Sequence, residues 1–128
     1  MAKRVLVIDD VATVRRAFEG ALGGMGYEVV TAASGQEGIM AFDQYRPALV
    51  FLDRHMPGLD GVEVLRAIRE RDREVPVYMV TAFCREFFQE LRAAAREGLE
   101  FELVRAPDGL DHLVEIARAT RIGMMEAR

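Results

Sequence analysis

The chain has 128 residues, of which 51% are hydrophobic and 30% are charged, and its formal net charge is −4 at pH 7. Length and composition are typical of one soluble globular domain with a core of its own. The acidic balance provides no basic surface for nucleic acid or an anionic membrane, and no apolar run approaches the roughly 20 residues that span a bilayer. Cys84 is the only cysteine, which excludes an internal disulfide and a cysteine-rich metal site. We therefore expect a cytoplasmic protein that forms a single domain over residues 1–128.

The first part of the chain predicts a strand, a helix and a second strand. Residues 5–8 are apolar or β-branched, and the acid pair Asp9-Asp10 closes this first strand. Apolar residues then recur at helical spacing from Val14 to Met25, with a glycine-rich stretch at the end of the helix. Residues 28–32 predict the second strand.

The middle of the chain continues the alternation. Ser34 to Glu37 has the form of a capping box and predicts the start of a second helix, which ends at Arg46-Pro47. The apolar run from Ala48 ends in a single carboxylate at Asp53, and it predicts a third strand buried on both faces. Asp60-Gly61 predicts the start of a third helix.

The last part predicts two more strands and two more helices. Residues 76–80 form the fourth predicted strand, which ends at Thr81-Ala82, and a helix from about 85 to 97 is closed by Gly98. Residues 101–104 form the fifth predicted strand, with Arg105-Ala106-Pro107 as its exit, and the last helix begins near Asp108. Such alternation predicts a parallel sheet covered by helices on both faces, with right-handed crossovers.

Polar side chains gather where the predicted strands end. Asp9 and Asp10 follow strand one, Asp53 follows strand three, Thr81 follows strand four and Arg105 follows strand five. All strands of a parallel sheet end at the same edge, so the acids converge if strands one and three are neighbours, about 5 Å apart. Clustered carboxylates repel one another, and a divalent cation relieves that repulsion. Their oxygen ligands suit Mg²⁺, and no histidine or cysteine cluster indicates zinc.

A carboxylate beside Mg²⁺ can serve as a ligand only, or as a nucleophile towards a phosphoryl group. Phosphoryl transfer requires a protein to position groups and to neutralise charge on the phosphoryl oxygens. Here the metal could neutralise some of these oxygens, the Thr81 hydroxyl could donate to another, and a cation from strand five could hold a third. These groups together favour Asp53 as the nucleophile that receives the phosphoryl group.

The sequence resembles the receiver domain of two-component response regulators over essentially its whole length. The matching motifs are the acid pair after strand one, Asp53 followed by Met56-Pro57-Gly58, Asp60-Gly61 before helix three and Thr81-Ala82 after strand four. The resemblance implies a doubly wound, flavodoxin-like α/β fold with five helices and a five-stranded parallel sheet in the order 2-1-3-4-5. Because the chain ends near the fifth predicted helix, we expect a receiver without an output domain in these residues, either a stand-alone receiver or one excised from a longer regulator or hybrid kinase.

The resemblance further implies roles for individual residues. Asp53 would accept a phosphoryl group from a histidine kinase or phosphotransfer protein, with Mg²⁺ bound by Asp9, Asp10, Asp53 and the backbone carbonyl of His55. Thr81 would move towards the phosphoryl group and signal to an output partner through the face formed by helix four, strand five and helix five. Such a protein acts on itself, promoting its own phosphorylation and dephosphorylation, and is not an enzyme in the usual sense.

The sequence departs from the family pattern at strand five. The family has Lys-Pro after this strand, whereas Ala106 precedes Pro107 here and Arg105 is the nearest cation. Because strand side chains alternate between faces, a one-residue offset directs Arg105 away from the site unless a bulge intervenes. The position of the family's switch aromatic holds Leu103, and Phe101 is the nearest aromatic residue.

Three other functions remain as alternatives. The missing lysine motivates a degenerate receiver that acts as a protein-interaction module without phosphorylation. A Mg²⁺-dependent phosphohydrolase would use Asp53 as nucleophile, but Arg54 follows where such enzymes have a second acid nearby. A dinucleotide-binding domain lacks its Gly-rich turn after strand one. No recognisable motif indicates the cognate kinase, the output partner or whether the protein forms a homodimer.

Overall fold

The computed structural model describes residues 3–53, 61–81, 95–96, 98–99 and 101–105. Eight elements lie in these ranges, in the order β1 (Arg4–Ile8), α1 (Ala12–Gly23), β2 (Glu28–Ala32), α2 (Gly35–Tyr45), β3 (Leu49–Asp53), α3 (Gly61–Arg71), β4 (Val77–Thr81) and β5 (Glu102–Arg105). The predicted alternation of strands and helices is confirmed as far as α3. Most of the predicted fourth helix and all of the fifth lie outside the described residues.

The strands form one parallel sheet in the order β2-β1-β3-β4-β5, as the resemblance implies. β1 pairs with both β2 and β3, and its last residue, Ile8, is in register with Ala32 on one side and Leu52 on the other. β3 in turn pairs with β4, where Asp53 is in register with Val80. The two central strands β1 and β3 therefore end side by side at the carboxyl edge of the sheet.

Alternation along the strands divides the core into two clusters, one on each face of the sheet. Leu6, Ile8, Val50 and Leu52 pack with buried residues of α2 and α3 on one face. The intervening residues of the same strands pack with α1 on the other face, together with two residues of that helix: Val5, Val7, Leu49, Phe51, Phe18 and Leu22. The strand β3 is thus buried on both faces, which confirms the expectation from its unbroken apolar run.

Local hydrogen bonds fix the ends of α2. The Ser34 side chain accepts from the backbone N–H of Glu37 at 3.2 Å, and the Glu37 carboxylate accepts from the N–H of Ala33 at 2.9 Å. This confirms the predicted capping box, with the glutamate bonding one residue further upstream than the usual pattern. At the other end Arg46 adopts a left-handed conformation with φ of 45°, and Pro47 prevents the helix from continuing.

A close approach between α2 and β1 depends on Gly38. This residue is buried, and a Cβ built on it would lie 2.5 Å from Cδ1 and 2.8 Å from Cγ1 of Ile8. Ile8 is fully buried, so its side chain has no open space into which it could move. The helix packs against the strand at this distance because the position carries no side chain.

The strand β5 begins and ends one residue later than the sequence predicts. Its pairing with β4 runs from Tyr78 opposite Glu102 to Thr81 opposite Arg105, so Arg105 is the last residue of the strand and not part of its exit. Gly98, with a φ of 86°, has the backbone conformation that the predicted end of helix four requires. Among the described residues, no helix is long and apolar enough to cross a membrane.

Candidate functional site

Three carboxylates meet at the carboxyl edge of the two central strands. Asp9 directly follows β1 and its N–H donates to the carbonyl of Ala32 at 3.1 Å, so it continues the strand's pairing by one residue. Asp10 comes next, and Asp53 is the last residue of β3. Each of the three side chains offers an oxygen atom, and these atoms all lie within 4.8 Å of one another. The predicted convergence of Asp9, Asp10 and Asp53, here called the acidic cluster, is confirmed.

The three acids differ in their access to solvent. Asp9 is 7% exposed, whereas Asp10 is exposed and Asp53 is half-buried. Burial raises the pKa of the Asp9 carboxyl above its ordinary value, and the nearby charge of Asp10 also raises it, whereas a hydrogen bond from the N–H of Val11 and the charge of Arg15 lower it. The Val11 N–H donates to Oδ1 of Asp9 at 2.9 Å, which closes the turn between β1 and α1.

Arg15 is a member of this site that sequence reasoning missed. Its Nη1 donates to the backbone carbonyl of Asp9 at 2.7 Å, reaching back from α1 across the turn. A helical cation five positions after an acid pair is the sequence signal that could have indicated it. The guanidinium therefore both holds the turn that presents Asp9 and brings a positive charge to the acidic cluster.

The composition of the acidic cluster suits a hard divalent cation. Its ligand atoms are carboxylate oxygens, which Mg²⁺ prefers, and the exposed Asp10 leaves room for the waters that this ion retains. Mutual repulsion among three carboxylates also favours a bound cation. The residues present thus fit Mg²⁺. The predicted fourth ligand, the carbonyl of His55, lies outside the described residues.

Backbone register places Thr81 and Arg105 next to each other. They are the last residues of β4 and β5 and are paired directly, so both backbones lie at the same edge as the acidic cluster. The pairing of β4 with β5 is continuous over its four residue pairs, so no bulge lies within β5 up to Arg105. Ala106 and Pro107 lie outside the described residues.

Phe101 lies at the opposite end of β5 from this edge. It directly precedes the strand and packs, partly buried, against the core cluster on the α2 and α3 face. Four residue steps of extended chain lead from Phe101 to Arg105, which corresponds to about 13 Å. Phe101 therefore lies far along β5 from Thr81, and the backbone of Leu103 is paired with Met79.

Known proteins are similar to this chain in sequence and in fold. The family model of the response regulator receiver domain matches residues 5–101. A probable transcriptional regulator, ycf27, of Cyanophora paradoxa is 45% identical over 80 residues, covering 62% of this chain and 33% of the relative. The transcriptional regulatory protein AfsQ1 of Streptomyces coelicolor is 42% identical over 78 residues, covering 61% of this chain and 34% of that protein. The chain spans about a third of the length of these curated relatives.

Solved structures give the same result. The chemotaxis protein CheY4 of Vibrio cholerae superposes with a TM-score of 0.81 at 26% identity, covering 94% of this chain and 99% of the other. The receiver domain of NtrX from Brucella abortus superposes with a TM-score of 0.75 at 30% identity, covering 91% of this chain and 96% of the other.

Fold and site together define a class of protein: a flavodoxin-like α/β domain with an all-oxygen cluster at the carboxyl edge of its central strands. The chain belongs to the response regulator receiver domain family. It is homologous to transcriptional response regulators of two-component systems, a family of phosphorylation-dependent switches.

Proposed function

We propose that this chain is a phosphorylation-dependent switch in which Asp53 accepts a phosphoryl group from a histidine kinase or a phosphotransfer protein. The observation that carries the proposal is the convergence of Asp9, Asp10 and Asp53 within 4.8 Å at the end of two neighbouring strands. Asp53 is the member at the end of β3; it is half-buried, whereas Asp9 is buried and Asp10 is exposed. It can therefore meet a phosphodonor from solvent while its backbone is held by the sheet.

The acidic cluster would hold Mg²⁺ through the carboxylates of Asp9, Asp10 and Asp53 and the carbonyl of His55. When bound, the cation supplies positive charge that offsets the carboxylates and the phosphoryl oxygens. In the transfer step, a carboxylate oxygen of Asp53 forms a bond to phosphorus and the bond from phosphorus to the donor's histidine nitrogen breaks. The electron pair of that bond stays on the nitrogen, which takes up a proton.

Thr81 and Arg105 are proposed to contact the phosphoryl group. Their direct pairing at the ends of β4 and β5 supports a shared location at this edge. The Thr81 hydroxyl would donate to a phosphoryl oxygen. Arg105 would provide the cation that the family's lysine otherwise supplies by reaching around the end of β5, because no bulge within the strand turns it towards the site; arginine is also a wider and more rigid group than lysine.

The downstream role is proposed from the relatives. Because the named relatives are transcriptional regulators, we propose a cytoplasmic protein whose phosphorylation changes its affinity for an output partner. The contact face would include β5 and the two predicted helices around it, and a homodimer is one form that the partner could take. The chain would catalyse only its own phosphorylation and dephosphorylation. A phosphorylation-independent interaction module is not favoured, because it gives no reason for three acids to converge.

Intact-mass measurement after incubation with Mg²⁺ and acetyl phosphate tests this proposal. We expect one phosphate adduct on the wild-type chain, none without Mg²⁺ and none on Asp53→Asn. If no adduct forms even when a cognate kinase is supplied, the switch proposal fails. If Asp53→Asn carries the same adduct, the assignment of the phosphoacceptor is wrong.

The role of Arg105 is tested in the same assay. Arg105→Ala should slow the rate of adduct formation, because a cation beside the phosphoryl group is lost. Arg73→Ala is the matched control, since Arg73 is an exposed arginine in the connection between α3 and β4. Equal rates for the two variants would remove Arg105 from the site.

A further inference from the structure

Arg15 lies at an unfavourable position for a cation. It is the fourth residue of α1, within the first turn and close to the positive end of the helix dipole. The same helix has no acidic residue in its first turn, and its N-cap residue, Val11, makes no side-chain capping bond. The helix dipole alone therefore disfavours a positive charge at this position, so a favourable contact must offset it.

The acidic cluster provides that compensation. Nη1 of Arg15 donates to the carbonyl oxygen of Asp9 at 2.7 Å, and the side chain of Asp9 is largely shielded from water. A charge held by a short, partly buried hydrogen bond is screened less than a mobile surface charge. The guanidinium is thus a fixed positive charge near the Asp9 carboxylate, whose pKa it lowers, at one side of the acidic cluster.

We propose that Arg15 is a positioning residue that sets the affinity of the acidic cluster for its divalent cation. Its charge offsets the repulsion among Asp9, Asp10 and Asp53 when no cation is bound, and it opposes the approach of a cation when one arrives. The inference rests on the proposed function, since it concerns the same cation site. It predicts a direction that a purely structural role would not: loss of the positive charge should tighten cation binding.

The experiment compares two glutamine variants in the full chain. Arg15→Gln removes the charge but keeps an N–H donor, and Arg16→Gln removes the same charge from the next, exposed position on the same helix. Mn²⁺ affinity is measured by the spin-resonance signal of free Mn²⁺, and Mg²⁺ affinity by competition, both at low ionic strength. A unit charge several ångströms from a divalent ion corresponds to at least about fivefold in affinity, even with the dielectric constant of water.

We expect Arg15→Gln to bind Mn²⁺ about fivefold more tightly than Arg16→Gln, and this difference should shrink as salt is added. Equal affinities, or weaker binding by Arg15→Gln, overturn the inference while leaving the cation site intact. If the wild-type chain binds neither ion, the proposed cation site itself fails. The two failures are therefore distinguishable.

Arg15→Lys provides a second test that does not depend on the folding of Arg15→Gln. Lysine keeps the charge but loses the planar group that bonds the Asp9 carbonyl. Affinity close to that of the wild-type chain supports control by charge. Binding that weakens by more than about fivefold shows that the carbonyl contact, and not the charge, governs the site, and it overturns the inference.

Discussion

Gly38→Ala adds one methyl group at the tightest contact between α2 and β1. Alanine is normally the better helix residue, worth about 1 kcal/mol over glycine. Here the added carbon would lie 2.5, 2.8 and 3.0 Å from three atoms of the Ile8 side chain. Favourable carbon contacts lie at about 3.5–4.0 Å, so the helix or Ile8 must move.

The expected net effect follows from these two opposing contributions. Overpacking a buried contact costs about 1–3 kcal/mol, and the gain in helix propensity offsets about 1 kcal/mol of that. A rotation of the terminal Cδ1 of Ile8 does not relieve the clash, because both γ carbons are also close to the new methyl and the side chain is fully buried. We expect a net loss of up to about 2 kcal/mol in the free energy of unfolding, or up to about 8 °C in Tm for a domain of this size.

Gly20→Ala is the matched control. Gly20 lies in α1, is exposed and has no heavy atom within 4 Å of a built Cβ. The same chemical change there should raise the free energy of unfolding by about 0.5–1 kcal/mol. Urea unfolding followed by far-ultraviolet circular dichroism measures both variants, and a correct packing argument gives them opposite signs.

A double variant tests whether Ile8 is the cause. Ile8→Val removes Cδ1, the atom at 2.5 Å, and costs about 1 kcal/mol alone. Combined with Gly38→Ala it should lose less than the sum of the two single changes, by about 0.5–1 kcal/mol. Strict additivity, or a Gly38→Ala variant as stable as Gly20→Ala, would refute the close-packing account.

Three further changes test other parts of the molecule. Asp9→Asn should stabilise the cation-free chain at neutral pH, because the raised pKa of Asp9 means that folding disfavours its charged form. This gain in the free energy of unfolding should vanish as the pH falls from the raised pKa to below the ordinary value of 3.8. Urea titrations at neutral pH and below pH 3.8 measure the difference. Ser34→Ala should lose about 1 kcal/mol through its capping bond while Ser34→Asn stays near wild type, and identical Tm values for the two would contradict the cap. Arg69→Met should lose about 2 kcal/mol, because the buried Arg69 donates to the carbonyl of Val75 at 2.7 Å, whereas the exposed Arg73→Met should leave the urea midpoint unchanged.

Most of the fold could be predicted because its signals are local. The apolar runs at β1 and β3 carry no polar residue before their final acids, and such runs fit strands that are covered on both faces. The capping box at Ser34 and the Arg46-Pro47 stop are likewise readable in a few residues. The strand order is not local, and it came from the family resemblance.

Sequence reasoning predicts strand ends and the burial of single residues less well, because tertiary contacts determine them. The sequence predicts strand five one residue early, from the apolar Phe101, yet Phe101 packs into the core before pairing begins at Glu102. The acid pair itself does not show that the continued pairing of Asp9 with β2 buries Asp9 and leaves Asp10 exposed.

Two contacts of the site and core could not be found from spacing alone. In the sequence, Arg15 is indistinguishable from a surface residue of an amphipathic helix. Only the turn before α1 brings the Asp9 carbonyl within hydrogen-bond distance of its guanidinium. Gly38 reads as an ordinary helix glycine, and only the crossing of α2 over Ile8 shows why a side chain there is excluded. Both depend on the relative placement of a helix and a strand.

The central position of β3 determines how rigidly Asp53 is held. This strand is hydrogen-bonded on both sides, to β1 and β4, and its four residues before Asp53 are buried. Amide hydrogen exchange in such a strand requires opening that approaches global unfolding, whereas edge strands exchange through smaller fluctuations. Modification of Asp53 would thus act on a backbone that exchanges among the slowest in the chain, and changes in exchange should appear first in β5 at the edge of the sheet.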